Sequence, residues 1–228
     1  MTTERTLHHF PLDPASRQAR LALAEKRLPF NDAVVRYWER PEALTALNPS
    51  GATPVLVEKT DGQTLILCET PAILAYLEEA YPETPLLPDS AAERAETRRL
   101  MTWFDRKFEF EAGGFLLHEK MEKRLQNMGA PDLANLRQGR AALRAHLAYL
   151  EGLVAERDWL AGRRLTAADF AAAAHISVID YLGDVPWAEF PAAKTWYMKL
   201  KSRPSFRSIL ADRWPGLTPS RHYDDLDF

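Results

Sequence analysis

The hydrophobic period of the chain changes part-way along its length. As far as about Tyr81, strand-like runs trade places with helical spacing. Thr6 to Phe10 reads as a short strand. Ser16 to Lys26 has helical spacing, with Ala19, Leu21, Ala22 and Leu23 at the apolar positions, and Asn31 to Arg36 carries the β-leaning Ala33, Val34 and Val35. Pro54 to Val57 and Thr64 to Cys68 predict two further strands, joined across Asp61-Gly62, a dipeptide suited to a tight hairpin. Thr70 to Tyr81 returns to helix through Ile73, Leu74 and Leu77. The predicted order is β-α-β, a loop, then β-β-α.

Pro82, Pro85 and Pro88 then fix the backbone and remove donors, which marks a linker over 82–90. No strand pattern follows it. Ala91 to about Phe110 is an amphipathic helix with Leu100, Trp103, Phe104 and Phe108 on one side, and Gly113-Gly114 predicts a break or kink. Leucines from Leu133 to Leu153 mark another long helix, opened by Pro131. Thr166 to Tyr181, Pro191 to Lys201 and Ser205 to Arg213 complete a helical bundle. Thr166 and Asp169 have capping-box spacing, with Leu165 and Phe170 at the staple positions. The expected layout is a small α/β domain over 1–81, the linker, an all-helical domain over 91–212 and an extended tail over 213–228.

Charge and composition narrow the function. Lys plus Arg is 29 and Asp plus Glu is 32, a formal net charge of -3. That balance argues against a nucleic-acid binder and against a surface that adheres to anionic lipid. The single cysteine, Cys68, has no internal disulfide partner and fits a reducing compartment. No apolar run approaches the ~20 residues that cross a bilayer, so a cytoplasmic protein without membrane insertion is expected. His8 and His9 are adjacent in a strand and point to opposite faces; the other histidines are scattered, so no metal site is expected.

The βαβ-loop-ββα unit followed by an all-helical half resembles the glutathione transferase architecture, a thioredoxin-like N-terminal domain (α/β) with a C-terminal helical bundle (all-α). Arg20 to Lys26 looks like that family's first helix. Asn48-Pro49-Ser50-Gly51-Ala52-Thr53-Pro54 resembles its cis-proline loop, and Glu69-Thr70-Pro71 its Glu-Ser turn. Leu165 to Phe170 and Trp196 with Arg203-Pro204-Ser205-Phe206 resemble its later helices. The resemblance implies a glutathione cradle at Pro54, Glu69 and Thr70. Beside it stands the reading that Thr70 only caps its helix and Glu69 sits at a turn.

The family's reaction also needs a hydroxyl or thiol just after the first strand, to stabilise the glutathione thiolate. The positions that would supply it hold Asp13 or Pro14. An ionised Asp13 raises a neighbouring thiol's pKa, and Pro14 has no donor. Ser16 is the fallback catalytic residue, with N-capping of the helix as its other role. The expectation is therefore no catalytic residue and no cofactor, with glutathione required only if the protein is a transferase or reductase acting on a small electrophile. A glutathione-dependent sensor or chaperone is a third reading.

Residues that the fold does not require carry the remaining information. Trp38, in the loop after the second strand, suits an interface anchor, or else packs on a neighbouring helix or lines the substrate cleft that the resemblance implies. Glu119 is a charged candidate, and Leu136 with Arg140 forms an i,i+4 pair that is either core or interface. The terminal Asp224-Asp225-Leu226-Asp227-Phe228 alternates acid and apolar groups, which suits a short docking motif with contacts at Asp227 and Phe228. Together these features are similar to a transferase-fold, cell-division branch of the family in alphaproteobacteria. That resemblance implies a non-enzymatic homodimer at the division site that binds FtsZ, and Trp38, Glu119, Leu136 and Arg140 are the candidate contacts. It also implies curved or bundled filaments, support for constriction, and a further division partner for the tail.

Overall fold

In the computed structural model, which describes residues 3–228, the first unit ends at Leu86 and the second begins at Leu87. Met1 and Thr2, which open the first predicted domain, lie outside the described residues. The first unit runs β1 (Thr3–His9), α1 (Pro14–Glu25), β2 (Asn31–Val34), a 3-10 turn (Tyr37–Glu39), α2 (Glu42–Leu47), β3 (Val55–Thr60), β4 (Gln63–Cys68) and α3 (Thr70–Ala80). The strands form one sheet in the order β2-β1-β3-β4. β1 and β2 are parallel, which requires the α1 crossover, and the other pairings are antiparallel. Asp61 and Gly62 both have positive φ, 49° and 82°, as the two-residue hairpin predicts.

Leu7, Leu56, Leu21, Ile73 and Leu77 are fully buried between the sheet and its helices. A polar knot sits beside them. The Glu58 carboxylate accepts Arg5 Nε at 2.8 Å, Tyr81 Oη at 2.8 Å and Tyr76 Oη at 2.5 Å. Lys26 Nζ donates to the Tyr81 and Thr84 carbonyls, and Glu78 accepts the Leu86 N–H. The first half of the proline-rich segment is thus tied down by the first unit. The expected open loop between β2 and β3 contains α2, too short for its six residues to show a helical period.

In the second unit, α4 (Ala91–Thr102), a π-helical stretch (Trp103–Gly113), α5 (Gly114–Leu117), a second π stretch (His118–Glu122) and α6 (Lys123–Leu125) follow one another without a gap. The break expected at Gly113-Gly114 does not occur; both residues keep helical dihedrals. A Cβ on Gly113 would lie 2.4 Å from Glu109 Oε2, so the missing side chain makes room for a carboxylate inside the π turn. Four more helices follow, α7 (Leu133–Glu156), α8 (Ala167–Tyr181), α9 (Pro191–Lys201) and α10 (Arg207–Leu210). Every residue of α8 is buried. Its alanines allow α4 and the first π stretch to approach it closely.

Candidate functional site

Strand β1 leads into the turn where the resemblance expects the thiolate-stabilising group. The first residue beyond the strand is Phe10, fully buried, whose side chain carries no donor. Asp13 is the N-cap of α1, so the expectation that Ser16 caps this helix is corrected. The helix starts earlier than its apolar pattern suggests because Pro14, with no N–H to satisfy, fits the first helical position. Asp13 accepts Ala15 N at 3.2 Å, Ser16 N at 3.1 Å, Ser16 Oγ at 2.6 Å and Thr53 Oγ1 at 2.9 Å. Burial pushes its carboxyl up, and the hydrogen bonds from Ser16, Thr53 and Ala15 oppose that shift.

Ser16 is fully buried, and its hydroxyl oxygen accepts Phe10 N at 3.3 Å. A hydroxyl has one proton to donate, and Ser16 donates its proton to Asp13. In this geometry none is left for a sulfur.

The cradle residues fare differently. The Thr53-Pro54 bond is cis. Glu69 has φ 69°, a conformation that side chains other than glycine seldom adopt. Its exposed carboxylate accepts Ser50 Oγ at 3.2 Å and Asn48 Nδ2 at 3.4 Å. Thr70 is buried and donates to the Ala15 carbonyl at 3.0 Å, joining α3 to α1. Its hydroxyl serves the fold, while the Glu69 carboxylate remains open to solvent. Trp38, in the 3-10 turn, is half-buried and meets Phe10 edge-on at 4.9 Å and Tyr37 at 5.3 Å.

In the second unit, two of the expected surface contacts lie inside. Glu119 is 1% exposed. It accepts Asp132 N at 2.7 Å and Asn135 Nδ2 at 2.8 Å and pairs with Lys123 at 2.6 Å. The Asn135, Lys123 and Asp132 contacts hold its carboxyl down to about 2. It fastens the start of α7.

Leu136 is likewise buried in the core. Arg140 is half-exposed, with Nε at 2.8 Å and Nη2 at 2.7 Å from Asp184 Oδ1, while Lys120 takes Oδ2 at 2.7 Å. Sequence reasoning missed Asp184 because nothing local marks a turn aspartate as the acceptor of two distant cations. The exposed residues on these turns of α7 are Leu133, Ala134, Arg137 and Gln138.

The segment 213–228 is folded, not extended. Trp214 and Leu217 form a β-bridge, and Tyr223 is fully buried with its hydroxyl on the Ile209 carbonyl at 3.0 Å. His222 Nε2 lies 2.8 Å from buried Asp180 Oδ1. Phe228 stacks on His222. Composition alone shows an acidic, Pro-containing end; the buried partners that seat it are far away in sequence.

The description of a glutathione S-transferase N-terminal domain matches residues 14–80, and that of the C-terminal domain matches 116–204. The chain belongs to the glutathione S-transferase family. FtsZ-localized protein A of Caulobacter vibrioides is 71% identical over 228 residues, covering 100% of both chains. The solved structure of FzlA from C. crescentus matches with a TM-score of 0.98 and 72% identity, over 99% of this chain and 100% of that one. A glutathione S-transferase from Rhodospirillum rubrum F11 matches with a TM-score of 0.95 and 51% identity, over 98% and 100% of the two chains.

As a glutathione S-transferase family member, the chain keeps the cis-proline turn and the Glu69-Thr70 pair. Between β1 and the first turn of α1, however, the only hydroxyl is that of Ser16, which is already donated to Asp13. Among the described residues, no group of three or more His, Cys, Asp or Glu side chains is placed to hold a metal, and no helix is long and apolar enough to cross a membrane.

Proposed function

We propose that this chain is a cytoplasmic scaffold of the division site, a homodimer that binds FtsZ filaments, favours their curvature or bundling and supports constriction. The observation that carries this reading is its 71% identity, over the whole length of both chains, to FtsZ-localized protein A. The turn after β1 supports the non-enzymatic half, since Phe10 and the Asp13–Ser16 pair offer no proton to a thiolate. A second copy would cover apolar side chains that each unit leaves exposed, Leu65 and Ile66 on β4 and Phe110 on the π stretch, the last 81% exposed. A two-fold dimer presents its binding patch twice, so weak single contacts suffice to hold neighbouring subunits at a set angle.

Trp38 is the aromatic anchor of this reading, and Arg140 the charged one, beside Leu133 and Arg137. Glu119 and Leu136 support that surface from within. Asp227 and Phe228 belong to the tail site that serves a further division protein. In co-sedimentation with GTP-polymerised FtsZ, the chain is expected in the pellet, and Trp38→Ala should weaken its binding at least about tenfold. Full pelleting of Trp38→Ala would move the contact elsewhere, and absence of the wild-type chain from the pellet would end the reading. The retained cis-proline turn and the open Glu69 carboxylate favour a second reading, a glutathione-dependent transferase or reductase.

A further inference from the structure

We infer that Phe228 is an intramolecular clamp that fixes residues 221–228 on the second unit, so that the tail meets a partner through Leu226 and Asp227 and not through the Phe228 ring. The ring lies in a cage. It stacks on His222 with centroids 4.9 Å apart and planes at 20°, and meets Trp187 edge-on at 5.6 Å. Two ammonium groups face it, Lys201 Nζ at 4.1 Å and Lys194 Nζ at 4.8 Å from its centroid. Cations over an aromatic face attract it most strongly where water is excluded, and Lys201 is almost wholly buried.

The seat is built around charges that the tail itself satisfies. Lys201 Nζ donates to the His222 carbonyl at 3.2 Å and to the Asp225 carbonyl. Buried Asp180 takes His222 Nε2 at 2.8 Å and Trp187 Nε1 at 2.7 Å on the same oxygen. Were the segment to leave, Lys201 would lose both carbonyls and Asp180 its imidazole, a costly outcome for buried charges.

The segment is therefore held at Tyr223, which is fully buried, and again at Phe228, with the residues between them turned outward. Leu226 is 42% exposed, and Asp227 is exposed with its N–H on Asp225 Oδ1 at 3.0 Å. A ring already engaged by His222, Trp187, Lys194 and Lys201 is not free to fill a partner's pocket. The partner-facing half of this inference rests on the tail contact proposed above; the clamp does not.

Amide hydrogen exchange on the full chain tests the clamp, read at Tyr223, Asp225 and Asp227. Phe228→Ala is expected to speed exchange there about tenfold, Phe228→Trp to stay within about threefold of wild type, and Leu226→Ala to leave it unchanged. Wild-type exchange in Phe228→Ala, or exchange in Phe228→Trp as fast as in Phe228→Ala, would overturn the clamp. The second arm replaces FtsZ-localized protein A by this chain in Caulobacter vibrioides cells. Constriction should survive Phe228→Trp and fail with Leu226→Ala. Failure of Phe228→Trp with its exchange still slow would make the ring itself the contact. Survival of every variant would remove the tail contact while the exchange result still decides the clamp.

Discussion

Replacing Asp169 with alanine is expected to lower the thermal midpoint of the second unit by about 10 °C or more. Asp169 is fully buried at the start of α8. Its carboxylate accepts Leu160 N at 2.9 Å, Thr166 N at 2.9 Å, Thr166 Oγ1 at 3.1 Å and Trp196 Nε1 at 2.9 Å. One side chain therefore joins the turn before α8, the first turn of α8 itself, and α9. Burial pushes its carboxyl up, against the pull of these donors. Alanine would strand three buried N–H groups and a hydroxyl, at about 1–3 kcal/mol each before relaxation, so a net loss of roughly 3–5 kcal/mol follows. Asp169→Asn keeps one carbonyl oxygen and should lose less. Calorimetric midpoints of the three proteins check the order, and an Asp169→Ala midpoint within about 2 °C of wild type would refute it.

The second large effect is a loss of stability at alkaline pH, set by His175. This α8 residue is buried between two carboxylates of the first π stretch, with Nε2 3.3 Å from Asp105 Oδ1 and Nδ1 3.2 Å from Glu109 Oε2. Burial opposes its charge, but the hydrogen bonds to Asp105 and Glu109 outweigh that and raise it to about 9. The folded pKa lies above the unfolded value of about 6.5, so the stabilisation is complete below that pH and is lost as pH rises through about 9. The difference corresponds to roughly 3 kcal/mol. Urea unfolding at pH 7 and pH 10 should show wild type losing about that much more than His175→Gln. Parallel losses in the two proteins would contradict the assignment.

What the sequence revealed and what it concealed follow from the range of the interactions. The Asp61-Gly62 hairpin, the Thr166–Asp169 box and α9 were legible because each is written within a few residues. The order of strands and helices was legible from periodicity, and with it the fold class. The short α2 was not, nor was the uninterrupted rod through Gly113-Gly114. There a glycine pair that would weaken an isolated helix makes room for the Glu109 carboxylate.

The candidate site was read less well, because charged residues carry no local sign of burial. Glu119 reads as a charged contact candidate, and nothing beside it in the chain shows that Asn135 and Asp132 hold it inside. Ser16 looked like a cap and a fallback donor, yet Asp13 takes both roles' hydrogen bonds. The acidic tail looked free, yet Lys201 and Asp180 wait for it in the fold. Trp38 was legible as an unusual loop aromatic, and it remains half-exposed on the Phe10 ring.

The most direct measurement of whether the inherited pocket has lost its chemistry is the rate at which the purified chain joins glutathione to a generic aromatic electrophile. With Phe10 in the turn after β1 and the Ser16 proton held by Asp13, the rate should equal that of the uncatalysed mixture. Turnover well above that background, abolished by Ser16→Ala, would contradict the account.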